Sequence, residues 1–394
     1  MTSSTAPYLP GRRLLQVPGP TNVPQAVLEA IARPTLDHRG PAFAELALSV
    51  IEGLQRVFRT TGPVVIFPGS GTGAWEASLV NTLSPGDKVL NPETGQFSTL
   101  WGQLATQLGL DVETLPSDWR RGIDVEAVRS RLGSDDKHQI QALLITHNET
   151  STGALSDVAA MRRVLDDLGH PALLFVDAVS SLGSVEYRHD EWGVDVTIAG
   201  SQKGLMLPPG MSFNAISQKA LDKQSSAKLP RAYWEWKPYL ALNKNGFFPY
   251  TPSANLMAGL EVAISLLERE GLENVFARHI RHGEATRAAV RAWGLETQCV
   301  DEAAYSPVVT AVRMPDGYAE AEFRSVVLST YGMALGSGLG QVAGKVFRIG
   351  HLGDFDDLSL IAALAGVELS LGVADVPHKE GGVSAALAVL AAAH

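Results

Sequence analysis

Between residues 64 and 198 the chain repeats one pattern: a short run that is apolar almost throughout, then a stretch with amphipathic helical spacing. The runs are Val64-Val65-Ile66-Phe67, Lys88-Val89-Leu90, Ala142-Leu143-Leu144-Ile145-Thr146, Leu173-Leu174-Phe175-Val176-Asp177 and Val194-Asp195-Val196-Thr197-Ile198. Helical stretches fall at about 72–83, 97–108 and 156–168. A strand with one wet face alternates polar and apolar residues, whereas a strand buried on both faces is apolar throughout. Strands alternating with helices run mostly parallel, because each helix carries the chain back across a sheet face. The pattern predicts an α/β domain whose mostly parallel sheet is sandwiched by helices.

Helices at about 24–33, with Pro24 suited to a first turn, and at about 42–59 precede this region. From about 255 the texture changes to long helical patterns at about 255–269 and 272–293. Strand-like Val308–Val312, helices at about 318–331 and 356–371, and a short helical tail follow. These predict a smaller α+β domain. The expected division is an arm over 1–22, closed by Pro18-Gly19-Pro20, a large domain over 23–255 and a small C-terminal domain over 256–394. A length of 394 residues suits two such units.

Composition narrows the function. The single cysteine, Cys299, excludes an internal disulfide and suits a reducing cytoplasm. No apolar run is long enough for a transmembrane helix, and the first residues lack the apolar core of a secretory signal. The net charge is −10, from 32 basic and 42 acidic residues without a basic block. That balance disfavours nucleic acid and membrane surfaces and points to a small-molecule partner.

Ligands of open α/β sheets bind beyond the carboxyl ends of the strands, and four loops there carry polar groups. Pro68-Gly69-Ser70-Gly71-Thr72-Gly73 precedes a helix, where free amides and the helix dipole favour an anion. A tight turn needs such glycines as well. The loop matches neither the Walker phosphate loop nor the dinucleotide fingerprint. Thr146-His147-Asn148-Glu149-Thr150-Ser151-Thr152-Gly153 places six polar residues after a buried strand, more than a capped turn requires. Asp177 ends an apolar strand, where its carboxylate must be paired or solvated. Lys203, in Gly200-Ser201-Gln202-Lys203-Gly204 before Pro208-Pro209-Gly210, lies off any solvated helix face. A lysine there becomes a nucleophile toward carbonyls once burial or a neighbouring cation depresses its pKa. An anion cradle, a hydroxyl donor, a carboxylate and an amine are the four groups that pyridoxal 5′-phosphate (PLP) requires.

The chain resembles the class V aminotransferases of PLP fold type I, and within them the members that use glyoxylate with serine, alanine or aspartate. The matching stretches are Pro18–Asn22, Asp37-His38-Arg39, Ser70–Gly73, His147-Asn148-Glu149-Thr150, Val176–Ser181, Gly200–Gly204 and Lys345–Gly350. The resemblance implies that Lys203 carries the cofactor as a Schiff base and moves the substrate proton, while Asp177 pairs with the ring nitrogen. It implies that Thr150 donates to the ring hydroxyl, that Phe97 stacks on the ring, and that Ser70, Gly71, Thr72 and Gln202 hold the phosphate. Tyr250 and Thr251 fall in a segment that reaches the phosphate from the second subunit of a homodimer. Arg348 would clamp the substrate carboxylate, with Gly19 and Pro20 beside it.

The implied activity moves an amino group from a small amino acid, serine favoured, to glyoxylate in a ping-pong cycle. Alanine, aspartate or pyridoxamine as donor stay open, as does a lyase on the same fold. His38, Arg39, His147, Trp234 and Trp236 either line the site or serve packing. His279 and His282, one helical turn apart, lack a third metal ligand in view. Cys299, in an edge-strand context, does not suit a mobile desulfurase nucleophile.

Overall fold

The computed structural model describes residues 13–392. In chain order its strands are β1 (Leu14–Gln16), β2 (Val64–Gly69), β3 (Lys88–Pro92), β4 (Asp111–Leu115), β5 (Ile140–Thr146), β6 (Asn148–Glu149), β7 (Ala154–Leu155), β8 (Leu173–Asp177), β9 (Val196–Gly200), β10 (Gly210–Ile216), β11 (Val309–Arg313), β12 (Met333–Ser337) and β13 (Val346–Gly350). Seven of them form one sheet in the order β2-β10-β9-β8-β5-β3-β4. From β9 to β4 every pairing is parallel, and β10 is antiparallel to both β2 and β9.

Both faces of this sheet are covered. On β5 and β8, Leu143, Ile145, Leu174 and Val176 pack into one core with the helices Pro41–Phe58, Val158–Asp167 and Ala254–Glu270. The alternate residues Ala142, Leu144, Leu173 and Phe175 pack into a second core with Trp75 and Trp101 of the helices Gly71–Thr82 and Gln96–Gln107. Two apolar faces per strand are what the uninterrupted runs encode. Each fully buried Leu or Phe of such a run stabilises the fold by about 1.5–3 kcal/mol.

A four-stranded sheet, β1-β12-β13-β11, has its own core, built from Phe347 and Ile349 with the helices Leu272–Ala292, Glu320–Tyr331, Asp357–Val373 and Gly382–Ala391. Its first strand comes from the N-terminal segment, where β1 runs parallel to β12. The helix Ala254–Glu270 lies against the large sheet's helical layer, with Met257, Leu260 and Leu267 in that core. Among the described residues no helix is long and apolar enough to cross a membrane.

Two strands of the large sheet fall outside the sequence pattern. β4 is an edge strand whose residues stay half or fully exposed, so its sequence, Asp-Val-Glu-Thr-Leu, has no apolar run. β10 buries Ser212 and Asn214. The Asn214 amide donates to the Ala74 carbonyl at 3.1 Å, and its oxygen accepts from Trp236 Nε1 at 3.1 Å.

Candidate active site

β5, β8 and β9 are neighbours and parallel, so the loops leaving their carboxyl ends share one edge of the sheet. β8 ends on Asp177, only 5% exposed, with Oδ1 accepting from the Val179 amide at 2.8 Å. Burial, with the nearby Glu149 carboxylate adding to it, pushes Asp177 up to about 7; Lys203 offsets part of the rise. Three loops meet at Val179. A Cβ on Gly71 would stand 2.6 Å from its Cγ2, and one on Gly200 3.4 Å from its Cγ1.

Lys203 follows β9 in a tight segment closed by Met206 N to Lys203 O at 2.9 Å and Leu207 N to Ser201 O at 3.1 Å. The residue as a whole is half-buried. Desolvation by its surroundings still pulls the amine down to about 8, helped by the Arg348 guanidinium and opposed by Asp177. The ammonium donates to the Pro18 carbonyl at 2.5 Å. Gly19, at φ +101°, lies so close that a Cβ there would stand 2.3 Å from the lysine Cδ and Nζ. Pro18 and Gly19 thus lie against the lysine itself, and the Thr21 amide donates to Gln202 O at 3.1 Å.

Arg348, on β13, reaches back from the smaller sheet. Nε donates to Ser337 O at 2.7 Å and Nη1 to Thr150 O at 3.1 Å, which leaves Nη2 without a hydrogen bond among the described residues. Burial brings this guanidinium down to about 10, with Glu149 opposing. Thr150 sits in the β6–β7 hairpin, and its hydroxyl has no hydrogen bond among the described residues.

Sequence reasoning assigned no role to Glu149, which orders this hairpin. Fully buried, it accepts from the Phe97 and Ser98 amides at 2.9 and 3.2 Å, and from the Ser151 amide and hydroxyl at 3.0 and 2.7 Å. Burial raises its pKa against the pull of those donors. The signal was present: a helix opening after Gly95 has no capping side chain at that position and needs an acceptor from elsewhere. Through this contact Phe97, half-buried, is fixed beside the hairpin.

The helix Gly71–Thr82 opens the anion cradle. Ser70 at its N-cap makes no side-chain cap, and Ser70 and Thr72 are exposed. The Gly71 and Thr72 amides have no acceptor among the described residues. Gln202 Oε1 is buried without a partner.

The remaining candidates are more scattered. Tyr250 and Thr251 are exposed, and Tyr250 stacks on Tyr233 at 5.0 Å. Trp234 packs over the glycine turn, where a Cβ on Gly73 would meet it at 2.5 Å, and Trp236 is fully buried. His147 bonds Ser181 Oγ at 2.9 Å through Nδ1, and burial lowers it to about 4. His38 and Arg39 occupy the turn ahead of Pro41. His279 Nε2 accepts from the Gly353 amide at 3.1 Å, and His282 Nε2 meets Asp357 at 2.8 Å. Cys299 is buried, with only Thr297 beside it in an isolated bridge rather than an edge strand.

The family model described as aminotransferase class-V matches residues 13–349. The chain belongs to the class V aminotransferases. It is 48% identical over 390 residues to the serine–glyoxylate aminotransferase of Methylorubrum extorquens, covering 97% of this chain and 96% of that one. The L-aspartate–glyoxylate aminotransferase of Paracoccus denitrificans is 46% identical, covering 94% of each. The crystal structure of pyridoxamine–pyruvate aminotransferase from Mesorhizobium loti superposes with a TM-score of 0.91 at 31% identity, over 98% of this chain and 99% of that one.

As a member of this family the chain is a PLP-dependent transaminase, and the residues present fit that cofactor. A carboxylate and an amine with converging pKa values face one edge. The cradle at Ser70–Thr72 offers unsatisfied backbone donors at a helix start to an anion.

Proposed function

We propose that this class V aminotransferase transfers the amino group of a small amino acid, serine by preference, to glyoxylate, giving glycine and a 2-oxo acid. Support for the glyoxylate acceptor comes from the names of the relatives above. The observation that carries the catalytic reading is Lys203: an amine lowered to about 8, set between the Asp177 carboxylate and the Arg348 guanidinium. PLP, when bound, supplies an aldehyde that takes up the amino group and an electron-withdrawing ring that accepts the charge left on the substrate carbon.

In this reading Lys203 Nζ would hold the cofactor, and as a free amine it would move the proton of the substrate carbon. Its lowered pKa keeps a useful fraction of free amine near neutral pH. Asp177 keeps a proton at the ring nitrogen. Ser70, Gly71, Thr72 and Gln202 hold the phosphate, Thr150 donates to the ring hydroxyl, and Phe97 covers the ring. Arg348, its Nε and Nη1 already fixed, offers Nη2 to the substrate carboxylate, with Gly19 and Pro20 shaping the space beside Lys203. The active unit is a homodimer in the cytoplasm, with Tyr250 and Thr251 reaching the partner's phosphate. We further read residues 1–22, of which 1–12 lie outside the described residues, 23–255 and 256–394 as arm, large domain and small domain, although the helix Ala254–Glu270 at the last boundary packs in the large sheet's core.

Lys203→Ala tests the core of this reading. The variant should lose the visible absorbance of the lysine-bound cofactor and all turnover of serine with glyoxylate. Normal turnover without added amine would overturn it.

A further inference from the structure

A cavity of about 490 Å³ lies outside the group assembled around Lys203. Its apolar wall is formed by Leu155, Val158, Val185, Trp192, Phe276 and Ile280. Three polar side chains, each more than nine-tenths buried, also line it: Arg287, His147 and Ser156, whose Oγ has no partner among the described residues. Arg287 is 8% exposed and follows Phe276 and Ile280 on one face of the helix Leu272–Ala292. Its guanidinium lies 4.7 Å over the Tyr305 ring, and Nη1 donates to Ser306 O at 3.0 Å. Its other nitrogens have no hydrogen bond, and no carboxylate pairs with it among the described residues. His147 is 3% exposed; Nδ1 is bonded to Ser181, and Nε2 has no partner among the described residues.

A buried cation without an ion-paired carboxylate is costly; burial draws the Arg287 pKa below its ordinary value, and the nearby Glu284 carboxylate offsets only part of that. An anionic ligand would remove that cost. The cavity's carboxylates are exposed, and two are already engaged: Asp157 caps Ala160 and meets Arg163, and Glu186 pairs with Arg188. Glu284 and Glu302 are exposed and have neither ion pair nor hydrogen bond among the described residues. The cavity thus combines an inner cation, two outer carboxylates outside any ion pair, of which Glu284 lies near Arg287, and an apolar wall.

We propose that this cavity binds an α-amino acid with an apolar side chain, its carboxylate on Arg287 and His147, its ammonium toward Glu284 and Glu302. Ser306 joins the site to the catalytic hairpin, since its carbonyl accepts from Arg287 while its amide donates to Gly153 O at 2.9 Å. The proposal does not depend on the donor or acceptor of the transamination.

The test uses holoenzyme whose cofactor has been capped with aminooxyacetate and dialysed, so that the catalytic site cannot take an amino acid. Calorimetric titration compares L-leucine, 4-methyl-2-oxopentanoate and isopentylamine, which share one side chain and differ in charge. Leucine should bind saturably and more tightly than either analogue. Arg287→Gln should weaken leucine by about tenfold or more, the loss expected of a charge-assisted contact. Ile280→Trp, which obstructs the wall and leaves Arg287 in place, should weaken it likewise. Thermal melting would establish that both variants are folded, and the Ile280 variant decides the matter if Arg287→Gln is not. The proposal fails if leucine gives no saturable heat, if both folded variants bind it as the wild type does, or if either analogue binds as tightly as leucine.

Discussion

Asp177 and Lys203 are displaced from their ordinary pKa values in opposite directions, the first up to about 7 and the second down to about 8, because both are desolvated at the same edge of the sheet. The displacement sets a pH dependence for the cofactor-free protein. Between the ordinary Asp value of 3.8 and about 7 the folded chain holds a proton that the unfolded chain has released, so stability falls as pH rises. Between about 8 and the ordinary Lys value of 10.5 the unfolded chain binds more protons, so stability rises with pH. Asp177→Asn should remove the falling limb, worth at most about 4 kcal/mol at roughly 1.36 kcal/mol per pKa unit. Urea melts of the two apoproteins from about pH 5 to pH 8 measure it; equal slopes would mean that Asp177 is ionised throughout. Arg348→Lys keeps the charge but loses the planar fork held by Ser337 O and Thr150 O. The KM for the amino donor should rise by about tenfold or more while kcat changes less. At this scale the three positions stand out in the sequence: Asp177 ends an apolar run, Arg348 interrupts one, and Lys203 sits in the glycine-flanked loop that follows one. The packing of Gly19 on Lys203 is not, since it joins positions far apart in the chain that only the folded sheet edge brings together.

The β6–β7 hairpin shows how one buried carboxylate can organise a functional element. Glu149 satisfies two amides of the Gln96–Gln107 helix start and both donors of Ser151, while attracting Arg348. Glu149→Gln places an amide NH₂ among those donors, so some must go unpaired. The variant should be destabilised by about 2–4 kcal/mol, the usual cost of leaving buried donors to charged acceptors unmet, read from the urea midpoint. Unchanged stability would mean that water or a shifted loop replaces the carboxylate. Elements are legible where their environment is uniform. The doubly buried β5 and β8, and the long helices Ala254–Glu270 and Leu272–Ala292, appear within a residue or two of their sequence pattern. β4 and β10 escape it for opposite reasons: one is an exposed edge with little to bury, the other gives interior positions to polar Ser212 and to the hydrogen-bonded Asn214. The short helices Gln218–Gln224 and Trp236–Asn243 carry too few turns for a periodicity to stand out.

At the scale of the whole molecule, a single chain leaves Tyr250 and Thr251 exposed and outside the group around Lys203. Tyr250 connects to the glycine turn through a file of rings: it stacks on Tyr233, Tyr233 meets Trp234 at 5.0 Å, and Trp234 covers Gly73. If these two residues complete the partner's phosphate site, each catalytic centre draws on two chains, and defects in different chains can compensate. A Tyr250→Ala/Thr251→Ala double variant should bind PLP about tenfold or more weakly, from the loss of an aromatic contact and a hydroxyl donor to an anion. Lys203→Ala should be inactive for a separate reason. Unfolded together and refolded as a mixture, the two chains form some hybrid dimers in which one centre has Lys203 from the first chain and Tyr250 and Thr251 from the second. That centre is intact, while the other carries both defects. Activity at limiting PLP should therefore exceed the sum of the two separate refolds and rise toward an optimum near equal mixing. A mixture no more active than that sum, in a protein that sediments as a dimer, would place Tyr250 and Thr251 in service of their own chain's centre or of none.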